Sequence, residues 1–277
     1  MIAIGGATAV VTGAARGIGR SIAEALVAQG ARVALLDRLE GPLGETAAAL
    51  RRSGAHVLSL VADITNAAEV EAAAGRIERE LGPVECLVNN AGTLSYVGPL
   101  WEADPDTWLK DVRVNLYGTF LMCRAFVGGM VERRRGCVIN MVSMGGVGDP
   151  HPFLSSYAGS KAGLMRITEG LAREVEESGV KVFALAPPAV RTDMTRFLVE
   201  DAGARRWRPG FKKLIDDAAC PPEQVAARVL ELLSGRADRL HGRFIRATDD
   251  LETLLARTDE ILADDSLTLR IRELPPL

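Results

Sequence analysis

Tyr157 and Lys161 stand four residues apart in Tyr157-Ala158-Gly159-Ser160-Lys161. In a helix, positions i and i+4 share a face, so a phenol and an ammonium would lie side by side. An opposite charge favours the ionised form of an acid, and a lysine beside a tyrosine is expected to lower the phenol's pKa. An unperturbed tyrosine titrates near pH ~10, too high for a base at neutral pH. With Lys161 and a cationic ring nearby, Tyr157 could exchange protons near the working pH. A half-exposed helix face gives the same spacing by chance, so the pair needs company. Ser143 supplies some, fourteen residues upstream at the end of Val138-Ile139-Asn140-Met141-Val142. A serine beside a tyrosine can polarise a carbonyl oxygen. No histidine–acid arrangement accompanies the serines, which leaves a hydrolase triad without support.

A second group of residues addresses phosphate. Thr12-Gly13-Ala14-Ala15-Arg16-Gly17-Ile18-Gly19 lies between a short apolar run, Ala7 to Thr12, and a helical pattern with Ile18, Ile22, Ala25 and Leu26 on one face. Glycines there let the backbone turn sharply and approach a pyrophosphate, and the helix N-terminus offers free N–H groups. Asp37 follows Gly19 by eighteen residues at the end of a second β run. A carboxylate at that place accepts hydrogen bonds from an adenosine ribose. It also repels a 2′-phosphate, so NAD is expected over NADP. Arg16 and Arg38 argue the other way. Asp63, at the end of a third run, is placed either to bond an adenine amino group or to begin a helix with Thr65.

The elements that must position these residues alternate strictly. Runs at 7–12, 32–36, 56–61, 84–88, 137–142 and 180–186 read as strands, with a seventh at 243–247. Helical patterns fill the spaces between, including a long one over 106–133 and the Tyr157 helix to about Glu177. Alternation with short connections predicts a parallel sheet covered by helices on both faces, a doubly wound α/β fold. The strands are near-continuous apolar runs, as burial on both faces requires.

Composition narrows the possibilities. The chain has 277 residues, a net charge of −3 and a pI of about 5.8, which gives no electrostatic case for nucleic acid or an anionic membrane. The four cysteines lack metal-ligand spacing and there are three histidines, so no metal is expected. Apolar surroundings for Cys86 and Cys137 fit reduced core thiols and a cytoplasmic location. Met1 to Gly6 lacks a basic signal-peptide region. No uninterrupted run reaches the ~18 apolar residues of a membrane span.

Together, Thr12 to Gly19, Asn89-Asn90-Ala91-Gly92, Asn115, Ser143 and Tyr157/Lys161, in that order, resemble the short-chain dehydrogenase/reductase family over roughly residues 7–195. The resemblance implies a three-layer Rossmann fold with a seven-stranded parallel sheet, assembled as a homodimer or homotetramer. It also implies a secondary alcohol/ketone oxidoreductase with a nicotinamide cofactor and a small-molecule substrate. Tyr157 matches the proton donor/acceptor, Lys161 the residue that binds the nicotinamide ribose, Ser143 the one that holds the substrate oxygen, and Asn115 the one that supports a proton relay. The cofactor set comprises Gly13, Ala15, Arg16, Gly17, Ile18, Gly19, Asp37, Arg38, Asp63, Ile64, Asn89, Ala91, Gly92, Tyr157, Lys161, Pro187, Val190 and Thr192. Leu94, Phe153 and Phe197 join Ser143 and Tyr157 as expected substrate contacts. Met194, Leu198, Trp207 and Phe211 nearby suggest an apolar pocket for an aliphatic, alicyclic or steroid-like body.

Two departures stand out. Phe183-Ala184-Leu185-Ala186-Pro187-Pro188 replaces the family's Asn-x-x-x-Pro-Gly, and proline fixes φ and lacks an N–H. The C-terminus is also extended. A single domain is expected over 1–248, with 193–221 as a substrate lid inside it. Residues 249–277 would form a helix and tail on the domain or a neighbouring subunit, covering part of a substrate mouth or altering the subunit contact that the family usually makes at the seventh strand.

Overall fold

A computed structural model describes residues 2–271. The expectations for Met1 and for the tail's last residues, 272–277, lie outside them. The first half runs β1 (Thr8–Thr12), α1 (Gly17–Ala28), β2 (Arg32–Asp37), α2 (Glu40–Arg52), β3 (Val57–Val61), α3 (Ala67–Leu81) and β4 (Val84–Asn89). The catalytic-side half continues with α4 (Pro105–Val112), a π-helical segment (Arg113–Gly118), α5 (Thr119–Glu132), β5 (Gly136–Met141), α6 (Met144–Val147), α7 (Ser155–Glu174) and β6 (Val180–Ala186). Three short helices follow, α8 (Asp193–Glu200), α9 (Ala202–Trp207) and α10 (Phe211–Ala218), then α11 (Pro222–Leu233), β7 (Phe244–Arg246), α12 (Leu251–Ala256) and α13 (Thr258–Ala263).

All seven strands form one parallel sheet in the order β3-β2-β1-β4-β5-β6-β7. Chain order reverses between β1 and β4. There the turns after both strands open into one crevice, the usual ligand site of such a sheet. The strands are buried on both faces, as their unbroken apolar runs predict: β1, for instance, is buried at every position. One core lies under α1, α2 and α11, with Ile22, Leu26, Leu43, Val229 and Leu232 packed on it. The other lies under α3 and α5, with Ile77, Met122, Phe126 and Met130.

The long helix predicted over 106–133 is continuous from Pro105 to Glu132, with a π turn at Arg113–Gly118 that amphipathic spacing does not reveal. This stretch meets the length and composition of a membrane span, contrary to the run-counting expectation, because scattered polar residues interrupt its apolar runs. Half of it is buried inside the fold, against α3 and α7 among other elements. The predicted terminal helix is two helices broken at Arg257, and Leu251 and Ile261 enter the first core.

Beyond α13 the chain returns to the sheet. Phe244 N–H donates to Leu267 O at 2.8 Å, so the tail takes the free edge of β7. An unpaired edge strand invites association, and covering it removes that liability. Leu267 and Leu269 pack over Leu164, Met165 and Phe244. Glu169, almost fully buried on α7, accepts Leu269 N–H at 2.6 Å and pairs with Arg166 and Arg270. Among the described residues the tail therefore lies on β7 and α7, and none of it joins the apolar cluster around Tyr157. Deleting residues 264–277 should lower the melting temperature by several degrees and raise the tendency to self-associate. Calorimetry and light scattering on the truncated chain check both effects.

Candidate active site

The phosphate turn is built by close approach. Gly13 has φ +66°, and a Cβ there would lie 2.9 Å from Ala91 Cα. A Cβ on Gly19 would lie 2.1 Å from Gly13 O, so no side chain fits. Asn90 Nδ2 donates to Thr12 O at 2.9 Å and Gly13 O at 3.2 Å. Thr12 Oγ1 accepts the Asn90 and Ala91 N–H groups, both at 3.0 Å. These clamps weld the turns after β1 and β4 together. Sequence reasoning credited neither Asn90 nor Thr12 with a role of its own, although both sit inside the quoted motifs. No side chain caps α1, which leaves its first N–H groups for an anion. The turn thus fits a dinucleotide's pyrophosphate.

Asp37 ends β2 as predicted. Its carboxylate accepts Ala15 N–H and Leu39 N–H, both at 3.1 Å, and so faces the same crevice. Arg38 is exposed, and Arg16 pairs with Asp193 at the start of α8. Thr192, which caps α8, has its Cγ2 3.3 Å from the Cβ position of Gly17, so the 193–221 segment begins directly over the turn. Val190 is buried and bridges Cys220, and Pro187 is half-buried at the end of β6. Ile64 is buried against the Gly118 turn of the π segment. Asp63 Oδ1 accepts the Thr65 N–H and hydroxyl at 2.8 Å each, while Asn66 caps α3.

Asn89 differs from expectation. Its side chain turns under the sheet, buried, and donates to Asn140 Oδ1 at 2.8 Å. Asn140 in turn donates to Thr168 Oγ1 at 3.0 Å. This chain ties β4, β5 and α7 together, and the Asn89 side chain does not reach the crevice. Strand alternation explains the difference, since neighbouring residues point to opposite faces.

The residues expected to react lie near the ends of β4 and β5. Ser143 Oγ accepts Gly145 N–H at 3.1 Å, leaving its own hydrogen free to donate elsewhere. A Cβ on Gly145 would lie 3.4 Å from Ser143 Oγ and 3.7 Å from Tyr157 Cε1, which brings serine and tyrosine to one wall. Asn115 sits in the π segment, fully buried. Its amide exchanges hydrogen bonds with Thr93, accepting at 2.8 Å and donating at 2.9 Å, and donates to Ser160 Oγ at 3.0 Å. Irregular π turns recur at functional positions. Lys161 is buried, and its Nζ donates to Met141 O at 2.6 Å. Burial lowers its pKa to about 8.

The phenol behaves otherwise than the spacing suggests. Burial pushes the Tyr157 pKa up, and the Asp111 carboxylate adds to the rise while the Ser143 hydroxyl opposes it. Lys161 Nζ stands 5.9 Å from the Tyr157 ring centroid and donates its hydrogen bond to Met141 O and not to the phenol.

Above the pair lies an apolar cluster of Leu94, Val97, Leu154, Leu198 and Ala204, with Phe153, Tyr157, Met194, Phe197, Trp207 and Phe211 against it. Leu94, Phe153 and Phe197, the expected substrate contacts, thus lie in one cluster with Tyr157. The Phe153 and Trp207 rings are 4.6 Å apart. Phe153 has φ +69°, an uncommon conformation for a bulky residue, and its carbonyl is fixed by Gly98 N–H at 3.0 Å. Of the arginines in and beside the 193–221 segment, Arg191 and Arg196 pair with Asp216 and Asp193, Arg206 lies over Trp207, and Arg208 reaches His151 at 3.2 Å.

With this geometry in view, comparison with known proteins is decisive about the class. The profile of the short chain dehydrogenase family matches residues 7–203, and the chain belongs to that family. It is 35% identical to a short chain dehydrogenase of Monascus purpureus, over 96% of this chain and 89% of that one. It is 38% identical to a galactitol 2-dehydrogenase (L-tagatose-forming) of Cereibacter sphaeroides, over 87% and 92%. Among solved structures it resembles a variant of actinorhodin polyketide ketoreductase with NADPH, at 29% identity and a TM-score of 0.78, covering 87% of this chain and 95% of that one. The protein is an oxidoreductase of the secondary alcohol/ketone type that uses a nicotinamide cofactor. Gly19→Ala should abolish dinucleotide binding, because the new methyl must displace the Gly13 carbonyl. Titration of intrinsic fluorescence with NADH and NADPH should then show no saturable change with either.

Proposed function

We propose that Tyr157 gives a proton to, or takes one from, the substrate oxygen while Ser143 holds that oxygen in place. The observation that carries this reading is the convergence of Ser143, Tyr157, Lys161 and Asn115 on the sheet edge that also holds the glycine turn. A bound nicotinamide dinucleotide supplies or accepts the hydride. Gly13, Ala15, Gly17, Ile18 and Gly19 would hold its pyrophosphate, Asp37 its adenosine ribose, and Lys161 the ribose at the other end. The Ser143 hydroxyl hydrogen, left free by the Gly145 N–H bond, polarises a ketone oxygen. Tyr157 keeps its proton until that oxygen becomes basic. Asn115 fixes the Thr93 turn after β4 and Ser160 of α7 on either side of itself, which holds α7 at its distance from the crevice.

This chain's own Asp37 favours NAD, since its carboxylate faces the ribose position. NADP is the second reading, favoured by exposed Arg38 and by the bound cofactor of the ketoreductase relative. Under the first reading NADH binds more tightly than NADPH, and Asp37→Ser reverses or erases the preference.

The apolar cluster under 193–221 supports a lid closing over a largely hydrocarbon substrate that carries one reacting alcohol or ketone. Four free cysteines fit a reducing compartment such as the cytoplasm. Exposed Leu100, Trp101, Tyr117 and Phe120 support a homo-oligomer that buries them.

The test is a screen of secondary alcohols with NAD and NADP, and of ketones with the reduced forms, followed by reduced-nicotinamide absorbance. Turnover of at least one aliphatic or alicyclic pair is expected. A protein that binds dinucleotide and turns over none would instead be a nucleotide-sensing protein on this scaffold. Burial brings the Lys161 pKa down to about 8, so its ammonium gives way to the neutral amine as pH rises through that region. Ketone reduction should therefore fall as pH rises through about 8, and a flat rate well past that point would remove Lys161's charge from the mechanism.

A further inference from the structure

Three side-chain hydrogen bonds tie the α4–π helix to α7. Trp108 Nε1 donates to Ser155 Oγ at 3.0 Å, Ser156 Oγ donates to Asp111 Oδ2 at 2.6 Å, and Asn115 Nδ2 donates to Ser160 Oγ at 3.0 Å. Positions 108, 111 and 115 are one helix face. Two of the rungs are neutral. The middle one contains a carboxylate with no solvent exposure.

That carboxylate is poorly compensated for its surroundings. No lysine or arginine forms an ion pair with it among the described residues. Its Oδ1 is buried without a hydrogen-bond partner, although Ser95 lies close enough to favour the charged form. Burial raises the Asp111 pKa, and the Ser156 hydroxyl, Ser95 and Lys110 oppose that rise. A neutral side chain of similar shape would avoid the desolvation cost of a buried charge. The groups that face Asp111 and can titrate or carry charge are Lys110 on its own helix, and Tyr157 and Lys161 on α7. The turn after β4 contributes only Ser95. Ser156, its hydrogen-bond donor, is the residue immediately before Tyr157.

We propose that Asp111 is a positioning residue of the active site, a buried negative charge that holds Lys161 as the ammonium and Tyr157 as the protonated phenol in the resting protein. Its field opposes the loss of the ammonium's proton, which burial promotes, and opposes ionisation of the phenol. The resting site is then set as a proton donor, the form that ketone reduction requires. The proposal rests on the reading of Tyr157 and Lys161 as the acid–base pair, but its test does not need turnover.

The chain has five lysines, Lys110, Lys161, Lys181, Lys212 and Lys213. Protein labelled with 13C at the lysine ε-carbon therefore gives few resonances, and Lys161→Met assigns the one that titrates near pH 8. In Asp111→Asn, which keeps the shape and can still bond Ser156, that midpoint should fall by on the order of one pH unit. Ser156→Ala removes the hydrogen bond and leaves the charge, so the midpoint should stay much closer to that of the unaltered protein. An unmoved Lys161 midpoint in folded Asp111→Asn overturns the proposal, whatever happens to its melting temperature. If that variant does not fold, the 13C shift of the Asp111 carboxyl in the unaltered protein decides the matter. An ionised carboxylate throughout the Lys161 titration supports the proposal, and a carboxyl that stays protonated through it overturns it. Absence of dehydrogenase activity would bear on the proposed function alone, since the lysine titration reads the electrostatics directly.

Discussion

Lys161 carries an amino group into a place with almost no water, and much of the site's architecture follows from that burial. A desolvated ammonium costs several kcal/mol unless the surroundings replace its hydration. Met141 O does part of this from the end of β5. α7 must therefore pass close to the end of β5, and the glycine at 146, in α6 just beyond that strand, lets α6 pack directly on α7, since a Cβ there would sit 2.5 Å from Ala162 N. The buried Asn89–Asn140–Thr168 chain and the rungs from α4 and the π segment fix α7 from below and from the side. The tail fixes its far end through Glu169. A helix held from so many directions can present a phenol and an ammonium to one crevice with little freedom to retreat.

The same crevice is where the sheet's strand order reverses, so the dinucleotide turn and the acid–base pair are neighbours by topology. Thr12, Asn90 and Gly13 join the two turns by hydrogen bonds, and Thr192 and Asp193 bring α8 down onto them. The glycine turn, the Tyr157 helix and the 193–221 segment are thereby coupled through short contacts. If 193–221 closes as the proposed lid, a rigid floor and an apolar cover suit chemistry in which water must be kept from a reacting carbon while a proton moves at the adjacent oxygen.

Much of this was legible in the sequence. Apolar runs ending in glycine or asparagine gave the strands and their turns, and the residue types at those ends marked the crevice. The aromatic and aliphatic residues of 153–211 were recognisable as an apolar group, and the fold gathers them into one cluster. What escaped was whatever depends on direction rather than type. Asn89 and Asn90 look equivalent in the chain, yet alternation sends one beneath the sheet and the other to the turn. The π turn around Asn115 leaves no mark on a periodicity of 3.6. Asp111 resembles any polar residue on a helix until α7 closes over it. The lysine's effect on the tyrosine was expected from spacing alone, whereas the folded protein adds burial and a second charge, and both push the phenol up.

In the proposed mechanism the Tyr157 hydroxyl is the proton donor and acceptor. Replacing Tyr157 with phenylalanine removes one oxygen and leaves the apolar packing and the cofactor turn in place. The decisive measurement is turnover of that variant on a substrate the unaltered protein accepts, with dinucleotide affinity measured on the same sample. The account predicts affinity within a few-fold of the original and a kcat reduced by orders of magnitude, on the scale of losing a general acid–base group. Near-normal kcat with unchanged affinity would contradict it.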